Sequence, residues 1–124
     1  MVEKSLSFPK SEKLTHVQHV NQLFSSKNTT MVSPILFTYI WCDREDVACK
    51  VVVSVSKKKF KKSVDRNLIK RRLREAYRLN KQLLLAKIPE DKTLHLGIIF
   101  VGNSIMEYSK MQHRVQQGLE KVIN

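Results

Sequence analysis

Residues 47–86 read VACKVVVSVSKKKFKKSVDRNLIKRRLREAYRLNKQLLLA. The first ten residues are rich in valine and alternate between two faces, a pattern that is typical of a β-strand. Lysines over 57–62 separate this strand from residues 63–86, where apolar residues recur at helical spacing. Ser63 is predicted to cap this helix, and Asp65 in its first turn suits the helix dipole. A strand, a basic loop and a long basic helix are therefore predicted at the centre of the chain.

A helix and strands are also predicted on the N-terminal side of this centre. Residues 11–26 have apolar residues at helical spacing, and residues 35–42 alternate as a strand does. The prediction allows one further short strand near 29–32. Because only a polar turn separates 35–42 from 47–56, these two strands are predicted to form an antiparallel hairpin.

On the C-terminal side, Pro89 ends the basic helix, and residues 94–101 alternate as another strand. Ser104 and Glu107 have the spacing of a capping box, which predicts a last helix that runs to about Val122. The order α-β-β-(β)-α-β-α predicts an α+β fold, in which helices pack on a small mixed sheet.

The length of 124 residues, of which 42% are hydrophobic, fits one domain over 1–124 with a modest core and with residues 1–10 flexible. No apolar run is long enough to span a bilayer, and the polar N-terminus lacks the apolar region of a signal peptide. Cys42 and Cys49 lack metal-ligand spacing and are interpreted as reduced thiols that pack in strands. These features predict a cytoplasmic protein.

The positive charge of the chain is concentrated in one segment. The chain has 23 Lys and Arg residues against 11 Asp and Glu residues, which gives a net charge of +12. Residues 57–81 contain 12 of the basic residues and only two acidic ones, Asp65 and Glu75, so this segment carries +10. An excess of this size indicates a polyanionic partner, either a nucleic acid or an anionic membrane.

The basic helix is predicted to have an apolar stripe and a separate cationic face. At about 100° per residue, the stripe contains Ile69, Leu73, Ala76 and Leu83. The cationic face, with Asn67 and Arg71 beside it, contains Arg66, Lys70, Arg74, Arg78 and Lys81. Like charges four residues apart repel by about 0.2–0.5 kcal/mol per pair, so folding alone does not favour this arrangement. A polyanion along the face would remove the repulsion, and the planar fork of arginine fits phosphate oxygens.

Two other interpretations of the basic helix are open. A helix that is merely solvated normally mixes both signs of charge, whereas this segment of 25 residues has two acids. A membrane-surface helix needs a free apolar face, and here the sheet is expected to cover that face.

Two motifs in this central stretch resemble the bacterial ribonuclease P protein family. Ser54-Val55-Ser56-Lys57-Lys58 is similar to the family's strand ending in V-S-K-K, and residues 66–74 are similar to its helix motif R-N-x-x-K-R-x-x-R. The spacing between the motifs and the order of the elements also match. The resemblance implies a left-handed β-α-β crossover, although general rules favour a right-handed one.

The resemblance also implies a function. In that family an RNA subunit carries the catalytic centre and its Mg²⁺ ions, and the protein is a non-catalytic subunit of the tRNA 5′ maturation endonuclease. The protein binds the catalytic RNA through its basic helix and loop, and it holds the 5′ leader of precursor tRNA in a cleft between the first helix and the sheet. No metal, other cofactor or membrane is expected to be bound by the protein itself. The RNA-binding residues predicted here are Lys57, Lys58, Lys61, Lys62, Arg66, Asn67, Lys70, Arg71, Arg74 and Arg78.

Aromatic residues are the candidates for the leader cleft, because a stacked base contributes about 1–3 kcal/mol to the binding of a single strand. Phe24, Phe37 and Tyr39 are predicted to line the cleft, with Trp41 on the same strand face as the last two. The alternative is that these rings fill the core, and alternation leaves open which face of the sheet is accessible. The family often has a second aromatic residue four positions before Phe24, where this chain has Val20.

The chain also departs from the family in the helix and the loop. Leu68 stands where many members have Arg, so the helix loses one cation and Leu68 is available for packing. Residues 59–62 replace a frequent Gly-Asn, so the loop is expected to bend differently. Phe60 in this loop has no role that the family implies.

Catalysis by the protein itself is disfavoured. None of the four histidines has metal-ligand spacing. His16 and His19 share a helical face, but no acid is placed to orient either ring. Two alternatives to the ribonuclease P protein remain: another basic RNA-binding protein, such as a ribosomal protein, and a DNA-binding helical module.

Overall fold

A computed structural model describes residues 13–14 and 17–123 of the protein. The element order within them matches the predicted α-β-β-(β)-α-β-α, including the optional short strand, and confirms the α+β fold. The predicted flexible residues 1–10 lie outside the described ranges, within which no helix is long and apolar enough to cross a membrane. The elements are α1 (Val17–Phe24), β1 (Thr29–Val32), β2 (Ile35–Asp43), β3 (Cys49–Val55), α2 (Ser63–Leu85), β4 (Lys92–Phe100) and α3 (Tyr108–Ile123).

The strands form one mixed sheet in the order β1-β2-β4-β3. β4 pairs antiparallel with β2 and parallel with β3, so the predicted hairpin between 35–42 and 47–56 is wrong. The hairpin instead joins β1 to β2 through Ser33 and Pro34, whose peptide bond is cis. β4 lies between two other strands, and its residues 93–98 are all buried. Burial of consecutive residues requires that both faces of this strand are covered. The left hand of the β3-α2-β4 crossover stays a prediction.

One face of the sheet, here called the covered face, packs against α2 and α3. Val51 and Leu96, which are register partners on β3 and β4, point into this core. At Gly118 the backbone of α3 lies so close to the sheet that a Cβ atom would collide with the ring of Phe37. The side chains that the two helices bury here include Ile69, Leu73, Ala76, Met111, Val115 and Leu119.

The two serine caps predicted from the sequence are not used. α2 begins at Ser63 itself, with Lys62 as the N-cap residue and no side-chain capping hydrogen bond. α3 begins at Tyr108, after the predicted capping box, and its first backbone bond runs from the Met111 N–H to the Glu107 carbonyl at 3.0 Å. Arg72 of α2 donates to the Met106 carbonyl at 2.7 Å. This tertiary hydrogen bond holds the segment before α3 and overrides the local capping signal.

Candidate nucleic-acid interface

The loop between β3 and α2 is anchored by Phe60. This side chain is buried, and its ring centroid lies 6.0 Å from that of Phe100 at the end of β4. The Phe60 N–H donates to the Ser56 carbonyl at 3.1 Å, which closes a turn. Sequence reasoning found no role for Phe60, although a lone apolar residue among lysines was a signal for an anchor. The five lysines that the anchored loop leaves exposed are Lys57, Lys58, Lys59, Lys61 and Lys62.

The basic face is formed by this loop and the first half of α2. All of its side chains are exposed or half-exposed, and none forms an ion pair with a carboxylate of another described residue. Charges that no internal partner neutralises create a field that attracts a polyanion. Nine of the ten predicted RNA-binding residues lie here: Lys57, Lys58, Lys61, Lys62, Arg66, Asn67, Lys70, Arg71 and Arg74.

Arg66 connects the two parts of the basic face. Its Nη1 atom donates to the carbonyl of Phe60 at 2.7 Å and to the carbonyl of Lys61 at 2.9 Å. These bonds hold the loop against the first turn of α2. A guanidinium has five N–H donors, so donors remain for a phosphate after these two bonds.

The helical projection assigned Arg78 and Lys81 to the cationic face, but neither is an exposed cation without a partner. Arg78 is paired with a carboxylate. Its Nε atom donates to Glu75 Oε2 at 3.1 Å, and this hydrogen bonding lowers the pKa of Glu75 and raises the pKa of Arg78. Arg78 is therefore the predicted RNA-binding residue that has a carboxylate partner.

The projection was wrong for Lys81, which is 1% exposed, and for Leu83, which is exposed rather than in the core. These two residues lie at opposite edges of the buried stripe of α2, at similar angles from its centre. Helical periodicity does not specify which edge the neighbouring elements cover, and here they cover the edge that carries Lys81.

The second face of the sheet, here called the open face, is only partly covered by α1. Thr38 Oγ1 on β2 donates to the carbonyl of Leu23 at 2.8 Å and attaches the end of α1 to the sheet. Gly97 on β4 makes room for this contact: a Cβ atom there would lie 2.7 Å from Thr38 Cγ2 and 3.3 Å from Phe24 Cε1. The missing side chain thus lets α1 lie directly on the strands.

Phe24 borders the accessible part of the open face. Its side chain is 43% exposed beside the Gly97 contact. Leu36, Ile99 and Ser54 form the next row of register partners on this face, and all three are half-buried. β3 continues beyond Ser54 into the basic loop. The three residues of this row therefore lie between Phe24 and the exposed lysines.

The assignment of Phe37 to the leader cleft is wrong. Phe37 is 0% exposed and lies under α3 on the covered face, so no base can stack on it. Tyr39 shares that face by strand alternation and packs half-buried against the core, opposite to Phe24. Trp41 also shares that face but is 39% exposed near the end of β2. Alternation shows that these rings share a face, but it does not show which face the helices cover.

A group of polar side chains lies under α1, at the end of β3 opposite to the basic loop. It joins His19 of α1, Glu45 of the β2–β3 loop and His95 of β4, with one nitrogen or oxygen from each within 4.8 Å of the others. The prediction that no acid lies beside His19 was wrong, because the fold brings Glu45 there from a distant part of the chain. His16 lies outside the described residues. Of the two cysteines, Cys49 packs in the core and Cys42 is half-buried near His95.

The fold and the basic face together define a small, basic α+β protein suited to a polyanionic partner. A family profile described as Ribonuclease P matches residues 8–123. The ribonuclease P protein component of Porphyromonas gingivalis (strain ATCC BAA-308 / W83) is 32% identical over 116 residues, which cover 91% of this chain and 84% of that protein. The ribonuclease P protein component of Geotalea uraniireducens (strain Rf4) is 36% identical over 120 residues, which cover 96% of this chain and 97% of that protein.

Solved structures have the same fold. The Staphylococcus aureus RNase P protein superimposes with a TM-score of 0.70 at 20% identity, covering 93% of this chain and 100% of that one. The Thermotoga maritima RNase P protein gives 0.68 at 17% identity, with coverages of 89% and 96%. The chain belongs to the ribonuclease P protein family. Its role is that of the protein subunit of ribonuclease P, a tRNA-processing endonuclease.

Proposed function

We propose that the basic face binds the catalytic RNA of ribonuclease P, and that the open face beside Phe24 holds the 5′ leader of precursor tRNA. In this proposal the RNA subunit carries catalysis and its Mg²⁺ ions, and the protein contributes no catalytic residue. The chain acts as one RNA-binding domain, in the cytoplasm.

The observation that carries the proposal is the set of cations on α2 without carboxylate partners among the described residues. Arg71 and Arg74 are exposed and Lys70 is half-exposed on α2, whereas Ile69 and Leu73 of the same helix are fully buried. A cation that contacts a phosphate releases condensed counterions from the nucleic acid, and this release drives binding. Cations that are already paired within the protein would contribute less.

The open face fits a single strand for a different reason. Phe24 supplies an accessible aromatic ring, and Leu36 and Ile99 supply an apolar floor next to it. Stacking on a ring tolerates any base, because every base has a π-face. The lysines that follow β3 lie where they can contact the backbone of the same strand, so the two surfaces would act together.

Salt dependence of RNA binding tests the basic face. A triple variant that combines Lys70→Ala, Arg71→Ala and Arg74→Ala should lower the slope of log K against log salt by about 0.7–0.9 for each lost phosphate contact. The matched control replaces three lysines that are exposed outside the basic face, so that the same charge is removed: Lys87, Lys110 and Lys121, each to Ala. An equal decrease of the slope in both triple variants would show that only net charge matters. An unchanged slope in the basic-face variant would show that this face does not contact RNA.

Cleavage assays test the division of labour. The protein alone should not cleave precursor tRNA, because in this proposal the RNA subunit carries catalysis and the protein contributes only binding surfaces. With the catalytic RNA and Mg²⁺, adding the protein should increase cleavage at low salt. Cleavage by protein that has been freed of RNA would contradict the proposal.

A further inference from the structure

The polar group under α1 has the composition of a metal site. His19, Glu45 and His95, here called the histidine cluster, supply two imidazoles and one carboxylate from three separate elements. His95 is 3% exposed, and its Nε2 atom lies 2.9 Å from Glu45 Oε1. The rings of His19 and His95 are tilted, with their centroids 5.3 Å apart. The cluster is therefore compact and opens to solvent through its half-buried members, His19 and Glu45.

We propose that the histidine cluster binds one transition-metal ion of the Zn²⁺ class. Imidazole nitrogen suits Zn²⁺, Co²⁺ and Ni²⁺, and two histidines with one glutamate form a known ligand set for zinc. Bond lengths of about 2.0–2.2 Å in a tetrahedral arrangement hold ligand atoms about 3.4 Å apart. The three ligand atoms already lie within 4.8 Å of one another, so side-chain adjustments on the order of 1 Å complete the site.

Cys42 provides the outer support that such a site needs. Its Sγ atom lies 3.6 Å from His95 Nδ1, on the side of the ring away from Glu45. When Nε2 binds the ion, the proton of the neutral imidazole resides on Nδ1. The Nδ1–H group can then donate a hydrogen bond to Cys42 Sγ. A hydrogen bond of this kind orients a ligating histidine.

Lys50 is the group that opposes metal binding. Its Nζ atom lies 3.6 Å from Glu45 Oε1, but it also lies 3.3 Å from Asp46 Oδ1. An ion at the cluster would repel the ammonium group towards Asp46, where its charge stays paired.

A bound ion would fasten α1 to the sheet at a second point. The hydrogen bond from Thr38 to the Leu23 carbonyl already attaches the C-terminal end of the helix. Because His19 is on the same helix as Phe24, an ion at the cluster would fix the helix that borders the open face. This inference does not depend on RNA binding and goes beyond the proposed function.

Titration of the full-length protein with Co²⁺, followed by visible absorption, tests the site directly. We expect saturation at one ion per chain with the intense bands of tetrahedral Co²⁺, displacement by Zn²⁺, and a Zn²⁺-dependent rise in melting temperature. His19→Ala and Glu45→Gln should each weaken binding at least about tenfold. His113→Ala is the matched control, because His113 is an exposed histidine on α3, outside the cluster.

Three outcomes would overturn the proposal: no saturable binding, equal affinity in Glu45→Gln and the unchanged protein, or equal losses in His113→Ala and His19→Ala. His16→Ala separates a simple pair of helical histidines from the cluster, because loss in His16→Ala without loss in Glu45→Gln would assign the ion to that pair. Circular dichroism establishes that each variant is folded. RNA affinity, measured separately without transition metals, is expected to be unchanged in Glu45→Gln, so failure of this proposal and failure of the proposed function are distinguishable.

Discussion

Phe37 on the covered face is fully buried under α3, whereas Phe24 beside the open face exposes 43% of its side chain. Both faces of the sheet carry apolar residues, but α2 and α3 cover one, while the short helix α1 only partly covers the other. The covered face stabilises the fold through close packing. The open face keeps an aromatic ring and an apolar floor accessible, and the proposed leader site depends on that difference.

The largest expected effect is on the covered face. Phe37→Ala should lower the free energy of unfolding by about 3–5 kcal/mol, because it leaves a cavity under α3. Urea denaturation measures this loss. Trp41→Ala, on the same strand face but 39% exposed, should cost much less. If Phe37→Ala costs under about 1 kcal/mol, the core is not packed as the structure shows.

Removal of the exposed ring tests the open face. Phe24→Ala should weaken binding of precursor tRNA by about 1–3 kcal/mol through lost stacking, with little change in stability. Binding of mature tRNA, which has no leader, should not change. Trp41→Ala serves as the control for a similarly exposed ring on the other face. If Phe24→Ala weakened the binding of both RNAs equally, the proposal that the open face binds the leader would be contradicted.

A smaller effect is expected where α1 is attached. Thr38→Val keeps the side-chain shape but removes the hydrogen bond to the Leu23 carbonyl, which should cost about 0.5–1.5 kcal/mol of stability. Thr30→Val is the control, because the half-buried Thr30 side chain forms no hydrogen bond with another described residue. Leader affinity should fall less in Thr38→Val than in Phe24→Ala. A larger fall would mean that the position of α1, rather than the ring, determines leader binding.

The smallest effect is expected on the outer surface of α2, beyond the covered face. Glu75→Gln releases Arg78 from its partner and should raise the salt slope of RNA binding by at most about 0.7–0.9, the value for one added phosphate contact. The melting temperature should change little, because ion pairs that stay partly exposed to solvent contribute little to stability. Glu120→Gln removes the same charge from an exposed position on α3. An equal rise in that control would indicate a change in net charge rather than the release of Arg78.

Sequence reasoning succeeded where the signal is local. The long helix was predicted over 63–86 and is found over Ser63–Leu85, and its buried residues Ile69, Leu73 and Ala76 follow the predicted stripe. The basic loop and the first half of α2 carry nine of the ten predicted RNA-binding residues on accessible positions. That these residues contact RNA stays a prediction.

The errors share one physical cause, which is packing between distant segments. The hairpin prediction failed because β4, distant in sequence, pairs between β2 and β3. Phe37 was placed in the cleft, because strand alternation is the same whichever face the helices cover. The cap predicted at Ser104 failed because Arg72, on another helix, holds the segment before α3.

Charge density, hydrophobic period and the two motifs are properties of short stretches or of composition, so the amino-acid sequence alone determined the basic helix, the α+β class and the family resemblance. The order of the strands, the accessible face of the sheet and the meeting of His19, Glu45 and His95 were settled only in three dimensions. They depend on contacts between residues far apart in the chain, and no local pattern records which distant segments will pack together.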